Sequence, residues 1–281
     1  MRKFSAHARE ISRALLPVLA LAGSAPAVAA NDLVLGVCEG TFGGAAPAEL
    51  VDKYHPLADY LGKALKAHVV VSPVCSFPRL ESGIAEQRFD FVMARPADYT
   101  ARAIRDHGYR YVAQVTPDVS CVYLVPRDSP LKSLADAKGM RITLPEKASY
   151  MGQLCVAGLR DAGVSAGGNA QFVKEQPVVM YQLQQKNVDV GGISSHAKAV
   201  SKEALEKAGL RELGRSAPQP YFPVIASKKV PAAQVETVRK ELLRLSETPE
   251  GRALLGRMGL NGYAVGNEEK MAQLLAWLEK K

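Results

Sequence analysis

Asp128-Ser129-Pro130-Leu131-Lys132-Ser133-Leu134-Ala135-Asp136-Ala137-Lys138-Gly139 stands one residue before Arg141-Ile142-Thr143-Leu144. Ser-Pro initiates a turn, the apolar residues that follow fit a short amphipathic helix, and Lys-Gly stops it before a strand. A helix that ends directly on a strand is one step of an alternating α/β chain, and the same step recurs on both sides.

Toward the N-terminus, Cys121-Val122-Tyr123-Leu124-Val125 reads as a strand, and before it lies a first series. Leu33-Val34-Leu35-Gly36-Val37 precedes a glycine-rich turn, Gly40-Thr41-Phe42-Gly43-Gly44. Leu50, Tyr54, Leu57, Ala58, Leu61 and Leu65 recur at three and four residues and mark one helix face. Strands are expected at Val69–Val71, Phe89–Met93 and Tyr111–Val115, with helices at 78–87 and 96–107 between them. Toward the C-terminus, strands are expected at Gln171–Val173, Val188–Ile193 and Tyr221–Ala226, and helices at 149–162, 176–186 and 195–208. Three amphipathic segments close the chain, around Val235–Leu245, at 249–258 and around Met271–Leu278.

No linker rich in Gly, Ser or Pro separates the two series, so two lobes sharing a hinge fit better than two independent domains. The expected division is 31–118 with 216–281 as one lobe and 119–215 as the other. Ligands of open α/β sheets sit at the carboxyl ends of the strands, so two such lobes facing each other make a closing cleft.

The first thirty residues read as an export signal. Arg2, Lys3, Arg9 and Arg13 precede an apolar run from Ala14 to Leu21, and Ala27-Val28-Ala29-Ala30 offers an A-x-A cleavage site. The run is much shorter than the roughly 20 residues of a spanning helix. A periplasmic protein follows. Of the formal net charge of +8, the leader carries +3 and leaves +5 spread along the chain. Nothing resembles a basic patch with interleaved aromatics, which argues against nucleic acid; a mild positive field favours a small anion. Four cysteines, Cys38, Cys75, Cys121 and Cys155, suit an oxidising compartment. Cys38 and Cys75 end two strands expected to be neighbours, which makes them the candidate disulfide, with buried free thiols as the alternative.

Catalytic signatures carry little here: the chain has no H-E-x-x-H and no G-x-G-x-x-G, and its one G-x-S-x-G match, Gly163-Val164-Ser165-Ala166-Gly167, follows the helix expected at 149–162 instead of turning from a strand into a helix as a nucleophile elbow does. Neither an enzyme nor a cofactor is expected. One alternative chemistry is a soft-metal site for Cu(I), drawn from Cys38, Cys75, Met93, Met151 and His196.

Four stretches resemble the periplasmic binding proteins of phosphate, phosphite and phosphonate importers, two-lobed proteins whose chain crosses twice between lobes. They are His55–Leu61, Phe89-Asp90-Phe91-Val92 leading to Ala97-Asp98-Tyr99, the Asp128–Gly139 stretch, and Thr248-Pro249-Glu250-Gly251-Arg252. The resemblance implies a monomeric clamp that closes on a small molecule and docks on the membrane permease of an ABC transporter, or on a membrane sensor. It also implies a pocket, and there this chain departs from its relatives. A Ser-Thr-Ser-Gly stretch that opens a helix onto the ligand reads Ser149-Tyr150-Met151-Gly152 here. A pocket histidine becomes Gln176, two acidic residues that hold a ligand amino group become His196 and Phe222, and a tyrosine becomes Ala94 beside Arg95. The implied ligand contacts are Thr41, Arg95, Ser149, Tyr150, Gln176, His196 and Tyr221, with Arg95 and His196 as the cations. The implied ligand is an oxyanion without an amino group.

Overall fold

The first apolar run forms β1 (Leu33–Cys38), and the alternation continues through α1 (Pro47–Leu65), β2 (Val69–Pro73), α2 (Phe77–Ala85), β3 (Phe91–Ala94), α3 (Ala97–His107) and β4 (Arg110–Val119). The second series is β5 (Cys121–Pro126), β6 (Ile142–Pro145), α4 (Tyr150–Asp161), β7 (Ala170–Val173), α5 (Gln176–Gln184), β8 (Val190–Ser194), α6 (Lys202–Ala208) and β9 (Leu210–Arg215). The chain ends with β10 (Gln219–Ala226), α7 (Ala232–Arg244), α8 (Pro249–Met258), β11 (Tyr263–Ala264) and α9 (Glu268–Glu279). These elements come from a computed structural model that describes residues 32–40, 46–266 and 268–280. The leader at 1–30 and Thr41 lie outside the described residues.

Two mixed sheets result. One has the order β11-β4-β10-β3-β1-β2 and the other β7-β6-β8-β5-β9. In the first, β1 runs parallel to β2 and β3, while β10 lies antiparallel between β3 and β4. In the second, β6 is parallel to β7 and β8, and β5 is antiparallel to β8 and β9. The chain passes between sheets at Ser120 and again at 216–218. The two passages are tied together: Cys121 N–H donates to Ser216 Oγ and Ser216 N–H to the Cys121 carbonyl, both at 2.9 Å. α9 packs on α3 and β10 beside the first sheet and on α4 beside the second. No helix among the described residues is long and apolar enough to cross a membrane.

Several expectations shift, each for a local reason. The helix of the Asp128–Gly139 stretch is a single 3-10 turn, Leu134–Ala137, closed by the Asp136 carboxylate, which accepts from the N–H groups of Lys132 and Ser133. The strand expected from Phe89 begins at Phe91. Phe89 instead fills the space beside Gly36 and Gly83, where a β-carbon would come within 2.8 and 2.3 Å of its ring. The helix expected over 195–208 is a turn followed by α6, capped at Ser201, whose hydroxyl accepts from Ala204 N–H at 3.2 Å.

The expected Cys38–Cys75 disulfide is corrected to Cys121–Cys155, with Cα atoms 5.1 Å apart. β1 and β2 pair with Val37 opposite Pro73, so Val74 is the residue level with Cys38 and Cys75 lies one further along. One residue of offset turns a side chain to the other face of a sheet. Cys38 is accordingly buried beside Val74, and Cys75 is exposed.

Candidate functional site

Between the carboxyl ends of β1 and β3, the middle of β10, and the first turns of α4 and α5 lies a cleft. Both sheets contribute to it, as expected for α/β strands whose helices begin at one common edge.

On the first-sheet side the dominant group is Glu39, immediately after β1 and only 8% exposed. Its carboxylate accepts from Lys53 Nζ at 2.8 Å and from Tyr54 OH at 2.5 Å, both on α1, and it meets Arg95 Nη2 at 3.4 Å. A buried carboxylate persists when cations and hydrogen bonds replace its water. Burial pushes the Glu39 carboxyl up, but the Arg95 charge and the hydrogen bonds from Lys53 and Tyr54 outweigh it, so it titrates below the usual glutamate value. A depressed acid contributes stability that is fully present above the ordinary value of about 4.3 and lost as pH falls through the folded-state value. Glu39→Gln is therefore expected to unfold more easily than wild type at about pH 7, with the gap closing toward about pH 3. Urea unfolding of both proteins across that range checks this; a constant gap contradicts the ion pairing.

Arg95 follows β3, its N–H held by the Cys38 carbonyl at 2.8 Å, and its guanidinium lies over the rings of Tyr221 (5.7 Å) and Phe222 (5.2 Å). This is a planar cation on two aromatic faces, the arrangement that suits arginine. Phe222 has φ of 47°, a left-handed conformation uncommon for a bulky residue. It belongs to an irregular stretch of β10, whose pairing with β4 shifts register on both sides of Tyr221.

On the second-sheet side, Ser149 caps α4: its hydroxyl accepts from Gly152 N–H and donates to the Glu146 carbonyl. Tyr150 OH donates to the Pro220 carbonyl at 2.9 Å, joining α4 to β10. Both hydroxyls expected on the ligand are thus engaged by the protein. The N–H groups of Tyr150 and Met151, by contrast, meet no acceptor among the described residues, as first-turn amides do not. Gln176, buried at the start of α5, accepts from Ser194 N–H through Oε1, which leaves its amide nitrogen as donor. Tyr221 also lines the cleft.

Of the residues singled out in the sequence, Arg95, Ser149, Tyr150, Gln176 and Tyr221 come together around this cleft. His196 does not line it. Its ring lies flat on Tyr221 at 3.9 Å, and Nε2 is within 3.2 Å of the Pro117 carbonyl beside the first passage between sheets. Burial, aided by the Arg95 charge and only partly offset by the backbone carbonyls of Asp118 and Pro117, lowers its pKa, so the expected cation is a neutral ring. The soft-metal set does not gather: Met93 is fully buried next to Tyr263 OH, Cys75 is exposed, and burial pushes the Cys38 thiol up to about 11. Among the described residues no group of three or more His, Cys, Asp or Glu side chains assembles to hold a metal ion. Glu39 escaped the sequence reading. Its only signal was an acid directly after a strand, and its partners are brought to it by tertiary packing of α1.

Across the cleft, fully buried Asp98 at the start of α3 accepts from Arg102 at 2.7 Å and from Gln153 Nε2 of α4 at 3.2 Å. With Tyr150–Pro220, this contact joins elements of the two sheets.

The family model of periplasmic substrate-binding proteins of phosphonate ABC transporters matches residues 44–271. The chain belongs to this family. Members are substrate-binding components of transport systems rather than enzymes. Solved structures agree in fold. A Xanthomonas citri protein bound to chloride ion is 18% identical, with 88% of this chain and 97% of that one covered and a TM-score of 0.72. PhnD1 from Prochlorococcus marinus, in complex with methylphosphonate, is 14% identical over 88% and 96%, with a TM-score of 0.69. The aliphatic sulphonate binding protein SsuA from Escherichia coli is 20% identical over 88% and 78%, with a TM-score of 0.56. A comparison with curated proteins gives no match.

Proposed function

We propose that this periplasmic phosphonate-binding family member captures a small phosphorus oxyanion without an amino group in the cleft and delivers it to the permease of an ABC transporter. The observation that carries the reading is the first turn of α4: two N–H groups with no acceptor among the described residues face a cleft also lined by Arg95, Gln176 and Tyr221. A helix N-terminus with convergent donors suits a compact anion. Glu39 does not invite an amine, because Lys53 and Arg95 already offset its charge. The division into lobes 31–118 with 216–281 and 119–215 is part of the proposal: closure turns on Ser120 and 216–218 as the protein, a monomer, takes up its ligand.

A thermal-shift panel of phosphate, phosphite, methylphosphonate and 2-aminoethylphosphonate tests it. A ligand present at about 100 times its Kd stabilises by about 2.7 kcal/mol, a readily measured shift. Methylphosphonate, phosphite or phosphate is expected to give it, and Arg95→Gln is expected to weaken that ligand about ten- to a hundredfold, as for loss of a charged hydrogen bond. Tighter binding of 2-aminoethylphosphonate than of methylphosphonate overturns the reading.

A further inference from the structure

Every contact of the Glu39 carboxylate with the described residues lands on one oxygen. Lys53 Nζ, Tyr54 OH and Arg95 Nη2 all meet Oε1, and Oε2 meets none of them. Glu39 lines the same cleft as Arg95, Gln176 and the first turn of α4. An ionised carboxylate only accepts hydrogen bonds, so it repels any oxyanion oxygen brought against it unless a proton lies between them.

We propose that Oε2 of Glu39 accepts a hydrogen bond from a protonated oxygen of the ligand, so that the cleft selects oxyanions bearing a P–OH and rejects sulfonates and sulfate, which bear none. The inference rests on the oxyanion reading above and adds the discrimination within that class. Phosphates and alkylphosphonates keep one proton through part of the neutral range, whereas sulfonates and sulfate are fully ionised there. Two cations already adjoin the carboxylate, which suits a neutral hydroxyl as the third partner better than an ammonium group. The titratable and charged groups around Glu39 are Lys53 and Tyr54 on α1, Arg95 after β3, Cys38 on β1 and Tyr221 on β10. Glu39 remains ionised in the neutral range, so the proton that titrates belongs to the ligand.

Methylphosphonate and methanesulfonate share shape and, near pH 6.5, roughly share charge; they differ in the P–OH. Calorimetry on the wild-type protein is expected to give a preference for methylphosphonate of about ten- to a hundredfold at that pH, the range for a hydrogen bond to a charged group. Its affinity is expected to fall toward about pH 9 as the ligand loses its second proton, while any methanesulfonate affinity, exposed to the same protein titrations, stays level. In Glu39→Gln, whose amide can donate, the preference is expected to shrink to within about threefold. If wild type binds methylphosphonate but no better than methanesulfonate, or if a folded Glu39→Gln keeps the wild-type preference, the role of Glu39 is overturned and the oxyanion reading stands. If wild type binds neither these nor phosphate, both fall. Should the variant fail to fold, the wild-type preference and its pH dependence decide alone.

Discussion

Gly152→Ala is expected to destabilise the protein by about 1–3 kcal/mol and to remove oxyanion binding in the same step. A β-carbon on Gly152 would lie 2.2 Å from the Glu146 carbonyl oxygen and 2.8 Å from that of Pro145. Both obstacles are backbone, so no rotamer change relieves them, and the chain between β6 and α4 must move. That movement shifts the Ser149 cap, which holds Gly152 N–H, and with it the Tyr150 and Met151 amides at the cleft. Gly251 gives the matched control. Its β-carbon would sit 2.2 Å from the Leu245 carbonyl oxygen, but on α8, which does not line the cleft. Gly251→Ala should therefore lose comparable stability and retain affinity. Denaturant unfolding and calorimetry on the pair test this; a Gly152→Ala protein with wild-type affinity would remove the first turn of α4 from the binding site.

The second large effect concerns Cys121–Cys155. The bridge spans a sequence separation of 34, for which the loop-entropy model gives about 4 kcal/mol, within a usual range of about 2–4. It also fastens α4, the helix that opens onto the cleft, to the start of β5 beside the passage between sheets. Cys121→Ala combined with Cys155→Ala should lose about 2–4 kcal/mol in urea unfolding, and reductant should lower the wild type but not the variant. Thiol titration of unreduced, unfolded protein should find the two free groups of Cys38 and Cys75. A variant as stable as wild type, or a titration showing Cys38 and Cys75 paired, contradicts the assignment.

How far the sequence could be read depended on whether the deciding contact was local. Cys121–Val125 is a buried strand and announces itself by continuous apolar residues, and so does Val69–Val71, an edge strand in which Val70 is exposed. β9, Leu210-Arg211-Glu212-Leu213-Gly214-Arg215, is a half-exposed edge strand whose charges conceal it, and the two-residue β11 is too short to leave a pattern. The cleft residues at strand ends and helix starts, Arg95, Ser149, Tyr150 and Gln176, were legible because chain topology alone puts those positions at one edge. What those groups do there was not legible. That Ser149 spends its hydroxyl on a cap, that Tyr150 spends its own on Pro220, and that His196 turns onto Tyr221 depend on neighbours distant in sequence. Four cysteines permit three pairings, and only the register of β1 with β2 excludes the one that strand order suggested.

The bend in β10 has a consequence for how tightly a ligand is held. Pro220 and Pro223 bracket Tyr221 and Phe222, so two positions of the strand lack the N–H needed to complete a regular ladder. The stretch whose rings carry Arg95 is thus kept irregular by covalent structure, whether or not the cleft is filled. Ordering a binding surface at the moment of association subtracts from affinity. Here one wall is moulded during folding, and the entropy its order costs is charged to the stability of the protein and not to the capture of its ligand.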